Sequence, residues 1–402
     1  MEYTGDKKSG NRRLPVFLIV SLVLLISTGG YYFYKSHIKT SKPVIVVSPH
    51  GEVKSEPTYS DVVGRYLFNG TVVWARAVEK YAGSNYAQPF SQLDTFNRAA
   101  YDAWSIDFEC PITNNVVPYQ TQIDKLVFNC RPEFLPAAVK YFNLFDLANN
   151  HTDNQGGQVG LNSTRDFLRV AGAQYFGNYD PTITNDICEV IALPVRLLKK
   201  DASELKATLP VAFCAWHYFN YFRGPTDAEL AVVARYKAIM PVFGFVEMGN
   251  EYHATASESQ QTVAHQLMDT GLDFLLANNP HWVQNAEAYK GKLIVYSLGN
   301  FIFDQLDTET QRSASIDLGI KLAYDDNVAK WVALGVSCST FHDSCLKNAE
   351  EQKLTKVQLQ YIYGVVAGQG GAGKLTHKAD VATQKAVEER LNWAAVIKEL
   401  GQ

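Results

Sequence analysis

The chain has 402 residues, 47% of them hydrophobic, and a formal charge of -4. That length suits one large domain or two ordinary ones. The mildly acidic balance lacks the basic stripe that nucleic-acid binding requires, so nucleic acid is excluded as an expected partner.

In chain order, the first informative segment is 14–34, LPVFLIVSLVLLISTGGYYFY, which carries no charge. A run of about 20 apolar residues crosses a ~30 Å hydrocarbon core as a helix. Lys7, Lys8, Arg12 and Arg13 precede it. A positive flank stays cytoplasmic, so residues 1–13 are expected inside and the bulk of the chain outside the cell. Lys35, Lys39 and Lys42 on the far side count against that orientation. A cleaved signal peptide would have an apolar core of about 7–15 residues and a small-x-small site. Here the run continues into Tyr31, Tyr32, Phe33 and Tyr34, an interfacial aromatic belt, so a single-pass, uncleaved anchor is the expectation. Residues 35–61 read as a polar linker containing Pro43, Pro49 and Pro57.

The globular body, 62–340, opens with a strand at Tyr66-Leu67-Phe68. Further strands are expected at Trp104–Phe108, Phe142–Leu147, Val242–Val246, Phe274–Leu276 and Leu293–Tyr296. Helices are expected at Pro132–Tyr141, Gly160–Ala171 and Ser259–Thr270, the second with Leu161, Phe167, Leu168 and Val170 on an apolar face. This alternation implies an α/β layered fold with helices on both sides of a sheet. From Ala314 to Ser339 the pattern suggests strand pairs. Residues 341–402 form a C-terminal extension, helical from Asp380 to Leu400 and expected outside the shared fold. Within it, Gly368-Gln369-Gly370-Gly371-Ala372-Gly373-Lys374 matches G-x-x-x-x-G-K. The next residue is Leu375, where a phosphate-binding loop has Ser or Thr, so the run reads as a flexible glycine linker.

All six cysteines follow the apolar segment: Cys110, Cys130, Cys188, Cys214, Cys338 and Cys345. None forms a C-x-x-C pair, which argues against structural zinc. An even number in an exported body suggests disulfides. Six cysteines allow about 15 pairings. Pairing in chain order is the simplest, with Cys338 and Cys345 closing a small loop. Six buried thiols are the alternative.

Polar groups gather where apolar runs stop. Ala148-Asn149-Asn150-His151-Thr152-Asp153, Pro280-His281-Trp282-Val283-Gln284 and Tyr296-Ser297-Leu298-Gly299-Asn300-Phe301-Ile302-Phe303-Asp304-Gln305 each follow such a run. Strand ends are where α/β folds place binding and catalytic groups. Gly70-Thr71-Val72-Val73-Trp74-Ala75-Arg76, Asp107-Phe108-Glu109-Cys110-Pro111-Ile112 and Gly249-Asn250-Glu251-Tyr252 complete the series.

Together these motifs resemble the CapA/PgsA family of poly-γ-glutamate capsule biosynthesis proteins, over about Tyr66 to Gln311. The Tyr296–Gln305 block carries the resemblance furthest. It implies a calcineurin-like metallophosphoesterase fold, a layered β core flanked by helices, behind one N-terminal transmembrane helix. It further implies ligand positions for two divalent cations (Mn, Mg or Zn) at Thr71, Glu109, Asn150, Glu247, Asn279 and His281, with His151 as the acid beside them. Two ions clamp a phosphoryl group and activate water.

Three of those six positions depart from the family pattern. Thr71 replaces aspartate, Glu247 replaces histidine and Asn279 replaces histidine. A hydroxyl is a poor ligand for a hard cation. The expectation is therefore no ion or one, held by Glu109, Asn150, Glu247 and His281. Arg76, Glu251 and Asn300 are the expected substrate-binding residues, since the Arg fork recognises carboxylate or phosphate. A bland reading pairs Arg76 with Glu109 or Glu251, lets Asn149 and Asn150 cap a turn, and satisfies His281 internally. The resemblance implies synthesis or export of an anionic polymer, with a membrane-bound ligase and small membrane subunits as partners. The ligand losses favour polymer binding or scaffolding. The alternative is a metal-dependent hydrolase acting on a phosphoester or on the polymer, with His151 catalytic.

Overall fold

The computed structural model describes residues 59–402, with 222 and 341 excepted. The expected anchor at 14–34 and most of the linker lie outside the described residues. Among the described residues no helix is long and apolar enough to cross a membrane.

A mixed sheet with flanking helices organises the chain. Its strands are β1 (Tyr59–Val72), β2 (Ala103–Phe108), β3 (Leu144–Asp146), β4 (Gln174–Phe176), β5 (Cys188–Lys199), β6 (Glu204–His217) and β7 (Val242–Glu247). They continue with β8 (Phe274–Asn278), β9 (Ala286–Tyr289), β10 (Lys292–Val295), β11 (Asn300–Ile302), β12 (Arg312–Ala323), β13 (Gln360–Gly370) and β14 (Thr376–Lys378). The main path runs β14-β13-β12-β1-β5-β6-β7-β8-β10-β9.

β1 is the fork. Its first half pairs antiparallel with β5, and its second half pairs parallel with β2 and β11. A branch β2-β3-β4 then leaves the main path, all parallel. Phe68, on β1, packs against Phe213, Phe245 and Phe274 of the other branch, so apolar rings fill the space between layers. The apolar run of β7, and β2 with its buried Ser105 and Asp107, fit this position, because every residue of both strands is buried.

The parallel sets β1-β2-β3 and β6-β7-β8 each end in polar residues: Thr71, Asp107, Asp146, His217, Glu247 and Asn278. Ser257 and Gln260 form a capping box that starts the helix Glu258–Asp269 behind β8. Gly70 and Gly299 draw β1 and the approach to β11 together. A Cβ on Gly70 would lie 1.9 Å from the Gly299 carbonyl oxygen, and Gly299 itself has φ +70°. The Thr71 amide donates to that carbonyl at 3.0 Å.

Several sequence expectations need correction. The pattern over Ala314–Ser339 suggests strand pairs, but only Arg312–Ala323 is a strand, and Asp326–Thr340 is helical. Val328, Trp331 and Cys338 bury one side of that helix. The expected helix Pro132–Tyr141 shrinks to a 3-10 turn, Pro132–Phe134, and a short helix, Leu135–Ala138. The glycine run is no linker: Gly368 and Gly370 pair within the sheet, and Ala372–Lys374 forms a tight turn. The C-terminal extension, whose role the sequence leaves open, joins the same sheet, as β13 pairs with β12 along its length. The cysteines pair in chain order, Cys110–Cys130, Cys188–Cys214 and Cys338–Cys345, and none is free.

Candidate functional site

β1 and β2 deliver the first pair of residues. Thr71 and Asp107 are register partners, and the Thr71 hydroxyl donates to Asp107 Oδ2 at 2.7 Å. Asn149 Nδ2 donates to the other oxygen, Oδ1, at 3.0 Å. Asn149 Oδ1 also accepts from the His151 amide at 3.0 Å, which closes the turn after β3. Asn149 therefore fills the turn-capping role, while Asn150 Oδ1 is buried without a partner.

His151 stacks on Phe128 with ring centroids 3.9 Å apart. Its Nδ1 lies 2.9 Å from Asn154 Oδ1, an oxygen that also accepts from the Phe128 amide. That atom is thus an acceptor, so His151 carries its proton on Nδ1. Nε2 keeps its lone pair and lies 3.7 Å from Glu109 Oε1. The Cys110–Cys130 bridge fixes the chain next to Phe128, the platform under this imidazole.

The third group comes from the turn after β8. His281 Nδ1 lies 2.8 Å from Asn300 Oδ1, and Asn300 Nδ2 donates to Gln305 Oε1 at 2.9 Å. Gln305 in turn donates to the Tyr252 hydroxyl at 2.9 Å. His281 Nε2 is 3.8 Å from Glu251 Oε1. Asn279 donates to the Gly249 carbonyl at 2.5 Å. Arg76, Tyr252, Asn279 and His281 all adopt positive φ, from +55° to +101°. Such strain in non-glycine residues collects where surrounding contacts over-determine the backbone.

Arg76 pairs with neither Glu109 nor Glu251. Its Nη2 meets Asp304 Oδ1 at 3.0 Å, and the guanidinium lies over the rings of Phe128 and Phe303. A cavity of about 330 Å³ opens beside Gly249 and Asn250, lined also by Tyr218, Arg223 and Gln260.

The electrostatics show that these elements converge. Burial, with repulsion from Asp107, pushes Glu109 well above the usual carboxylate range. Glu247 is raised in the same way by burial and by Asp107, Glu109, Asp146 and Glu251. Burial also raises Asp146, and Asp107 adds to it. Asp107 itself is pushed up to about 6 by burial, against the hydrogen bonds from Thr71 and Asn149. Desolvation lowers His151, His217 and His281 to about 4 each.

Glu109 with His151 and Glu251 with His281 form two close pairs, and the charge on Glu247 is felt against both glutamates, while the Thr71 hydroxyl and the Asn279 Nδ2 are engaged in internal hydrogen bonds. Sequence reasoning passes over Asp107, Asp146 and His217. His217 has no motif, yet it is the register partner of Glu247 and bonds the Tyr179 carbonyl at 2.7 Å through Nδ1. A strand-end rule applied to β6 would have found it.

Two oxygens that accept nothing, Asn150 Oδ1 and Glu247 Oε2, are buried here, beside carboxylates that repel one another. Oxygen donors with imidazole suit Mg, Mn or Zn. Among the described residues, however, no group of three or more His, Cys, Asp or Glu side chains is placed to hold a metal ion.

The family described as bacterial capsule synthesis protein PGA_cap matches residues 65–190 and 230–305, which contain every site residue named so far outside the Tyr218–Arg223 wall of the cavity and His217. The chain belongs to this family. The PGA biosynthesis protein CapA of Bacillus subtilis (strain 168) is 26% identical over 316 residues, 70% of this chain and 78% of that protein. The capsule biosynthesis protein CapA of Bacillus anthracis is 38% identical over 73 residues, 18% of each chain. Among solved structures, a hypothetical protein from Thermus thermophilus aligns with 65% of this chain and 94% of its own, at 13% identity and a TM-score of 0.33. Chaetomium thermophilum Vps29 aligns with 75% of this chain and 96% of its own, at 10% identity and a TM-score of 0.21. Scores this low carry no argument about the fold.

Proposed function

We propose that this PGA_cap protein binds an anionic capsule polymer, such as poly-γ-glutamate, at its strand-end pocket and serves synthesis or export by holding the polymer rather than cutting it. The apolar segment 14–34 anchors it in the membrane with the body outside the cell. There it works beside a membrane-bound ligase and small membrane subunits. The names of the two Bacillus relatives support the capsule role. The scaffold is read as calcineurin-like from the order of its motifs and from the gathering of ligand-type residues at parallel strand ends.

One observation carries the preference for binding. Thr71 and Asn279, two of the positions where a two-ion cage needs ligands, offer only a neutral hydroxyl, which donates to Asp107, and a neutral amide, whose Nδ2 donates to the Gly249 carbonyl. At most one divalent cation remains, with Glu109, Asn150, Glu247 and His281 to hold it. When bound, such an ion neutralises buried carboxylates and offers a positive charge to a polymer carboxylate. Arg76, Glu251 and Asn300 line the polymer path.

The hydrolase reading keeps one specific support, His151 lying 3.7 Å from Glu109. Against it, burial lowers His151 to about 4, so at neutral pH its Nε2 holds no proton for a leaving group. The test incubates the full chain with Mn²⁺ and a labelled γ-linked glutamate oligomer, then reads bound fraction and oligomer length. Binding that is lost in Arg76→Ala with the length unchanged is expected. Shortening of the oligomer that stops in His151→Ala would establish the hydrolase instead.

A further inference from the structure

The turn Ala372–Lys374 lies beyond the residues matched to the family, yet it returns to the pocket. Gln88 Nε2 donates to the Gly373 carbonyl at 2.8 Å and pins the turn against the domain. Lys374 is only 6% exposed, with φ +61°. Its Nζ donates to the main-chain carbonyl of Asp304 at 2.6 Å. The Asp304 carboxylate is the one that meets Arg76, and its Oδ2 also accepts from the Ala77 amide at 3.2 Å. The chain thus runs Lys374, Asp304, Arg76.

Two features of this arrangement are expensive without a ligand. A buried lysine in the left-handed region costs both strain and desolvation. The second lies at Arg76, which meets the Asp304 carboxylate through Nη2 alone. Arg76 Nε is buried and donates to nothing. A carboxylate arriving at Arg76 would accept from its fork, including the unpartnered Nε.

We propose that Lys374 is a positioning residue for carboxylate recognition: by holding the Asp304 main chain it orients Arg76, and its charge adds to the attraction for a carboxylate of an acidic polymer. This rests on the reading that Arg76 receives the polymer. It adds that the C-terminal extension completes the site.

The test is fluorescence anisotropy with a labelled γ-linked glutamate decamer and the full chain in detergent micelles, at several salt concentrations. Lys374→Met removes charge and donor. Lys374→Gln keeps a donor for the Asp304 carbonyl, which guards the fold, and removes only the charge. Both are expected to bind about tenfold more weakly, the scale of a charge-assisted contact, with a shallower salt dependence. Lys374→Arg should recover affinity to within about threefold, and the exposed Lys378→Met should match the native chain. If Lys374→Gln binds like the native chain with the same salt slope while Arg76→Ala does not bind, Lys374 only braces the extension and the inference fails alone. If the native chain does not bind the decamer, or Arg76→Ala binds it equally well, the polymer-site reading fails and takes this inference with it.

Discussion

Thr71 and Asp107 face each other across adjacent parallel strands, and the Thr71 hydroxyl donates to Asp107 Oδ2 at 2.7 Å. Both are nearly fully buried, at 2% and 4% exposure. The pair holds one carboxylate where a second would have no counter-charge. Thr71→Asp is expected to lower the unfolding free energy by about 3 kcal/mol in chelator at pH 7, the scale of an unpaired buried charge. The double variant Thr71→Asp/Asp107→Asn moves the carboxylate from one strand to the other and should recover most of that loss. Urea titrations measure both. Additive destabilisation in the double variant would show that the two residues are not coupled.

Asp146 gives a pH dependence with a definite sign. Burial and Asp107 hold its folded pKa well above the unfolded value. A carboxyl raised in this way contributes its stability below the unfolded pKa of about 3.9 and loses it as pH rises toward the folded pKa. Asp146→Asn keeps the Oδ1 acceptor for the Ala148 amide and removes the titration. It should gain at least about 1 kcal/mol on the native chain between pH 4 and pH 8, since each tenfold change in proton affinity is worth about 1.4 kcal/mol. Urea midpoints at the two pH values, in chelator, decide it. A difference that does not grow with pH would contradict the assignment.

The Cys110–Cys130 bridge closes a 20-residue separation beside Phe128, on which His151 stacks. Chain-entropy reasoning gives about 3 kcal/mol for such a loop. Cys110→Ala/Cys130→Ala should lose roughly that much stability and also weaken oligomer binding, because the platform for His151 and Arg76 loosens. Calorimetry and anisotropy on the same variant test the two parts. Unchanged binding would mean that the platform stands without the bridge.

Where a strand is buried on both faces, its sequence runs nearly unbroken in apolar residues, and β7 and β8 are legible for that reason, while β2 is legible despite Ser105 and Asp107. The polar residues at their ends are legible too, because a strand end is where such groups are tolerated. Partners across strands are not. Nothing in the spelling of Asp107-Phe108-Glu109 says that Asp107 meets Thr71, or that Arg76 chooses Asp304 over Glu109. The helix Asp326–Thr340 is hidden by Val332, Val336 and Gly335, which read as strand. What the sequence does not show is the burial of Trp331 against the sheet, whereas the Cys338–Cys345 bridge at its end is local and expected. The glycine run reads as a linker because its role depends on Gln88 and Asp304, far away in sequence.

The most direct test of the account is the metal content of the full chain after dialysis against Mn²⁺ or Zn²⁺, read by mass spectrometry of the ions. With a neutral hydroxyl at Thr71 and a neutral amide at Asn279, the account predicts at most one tightly held ion per chain, lost in Glu247→Gln. Two tightly held ions per chain would contradict it.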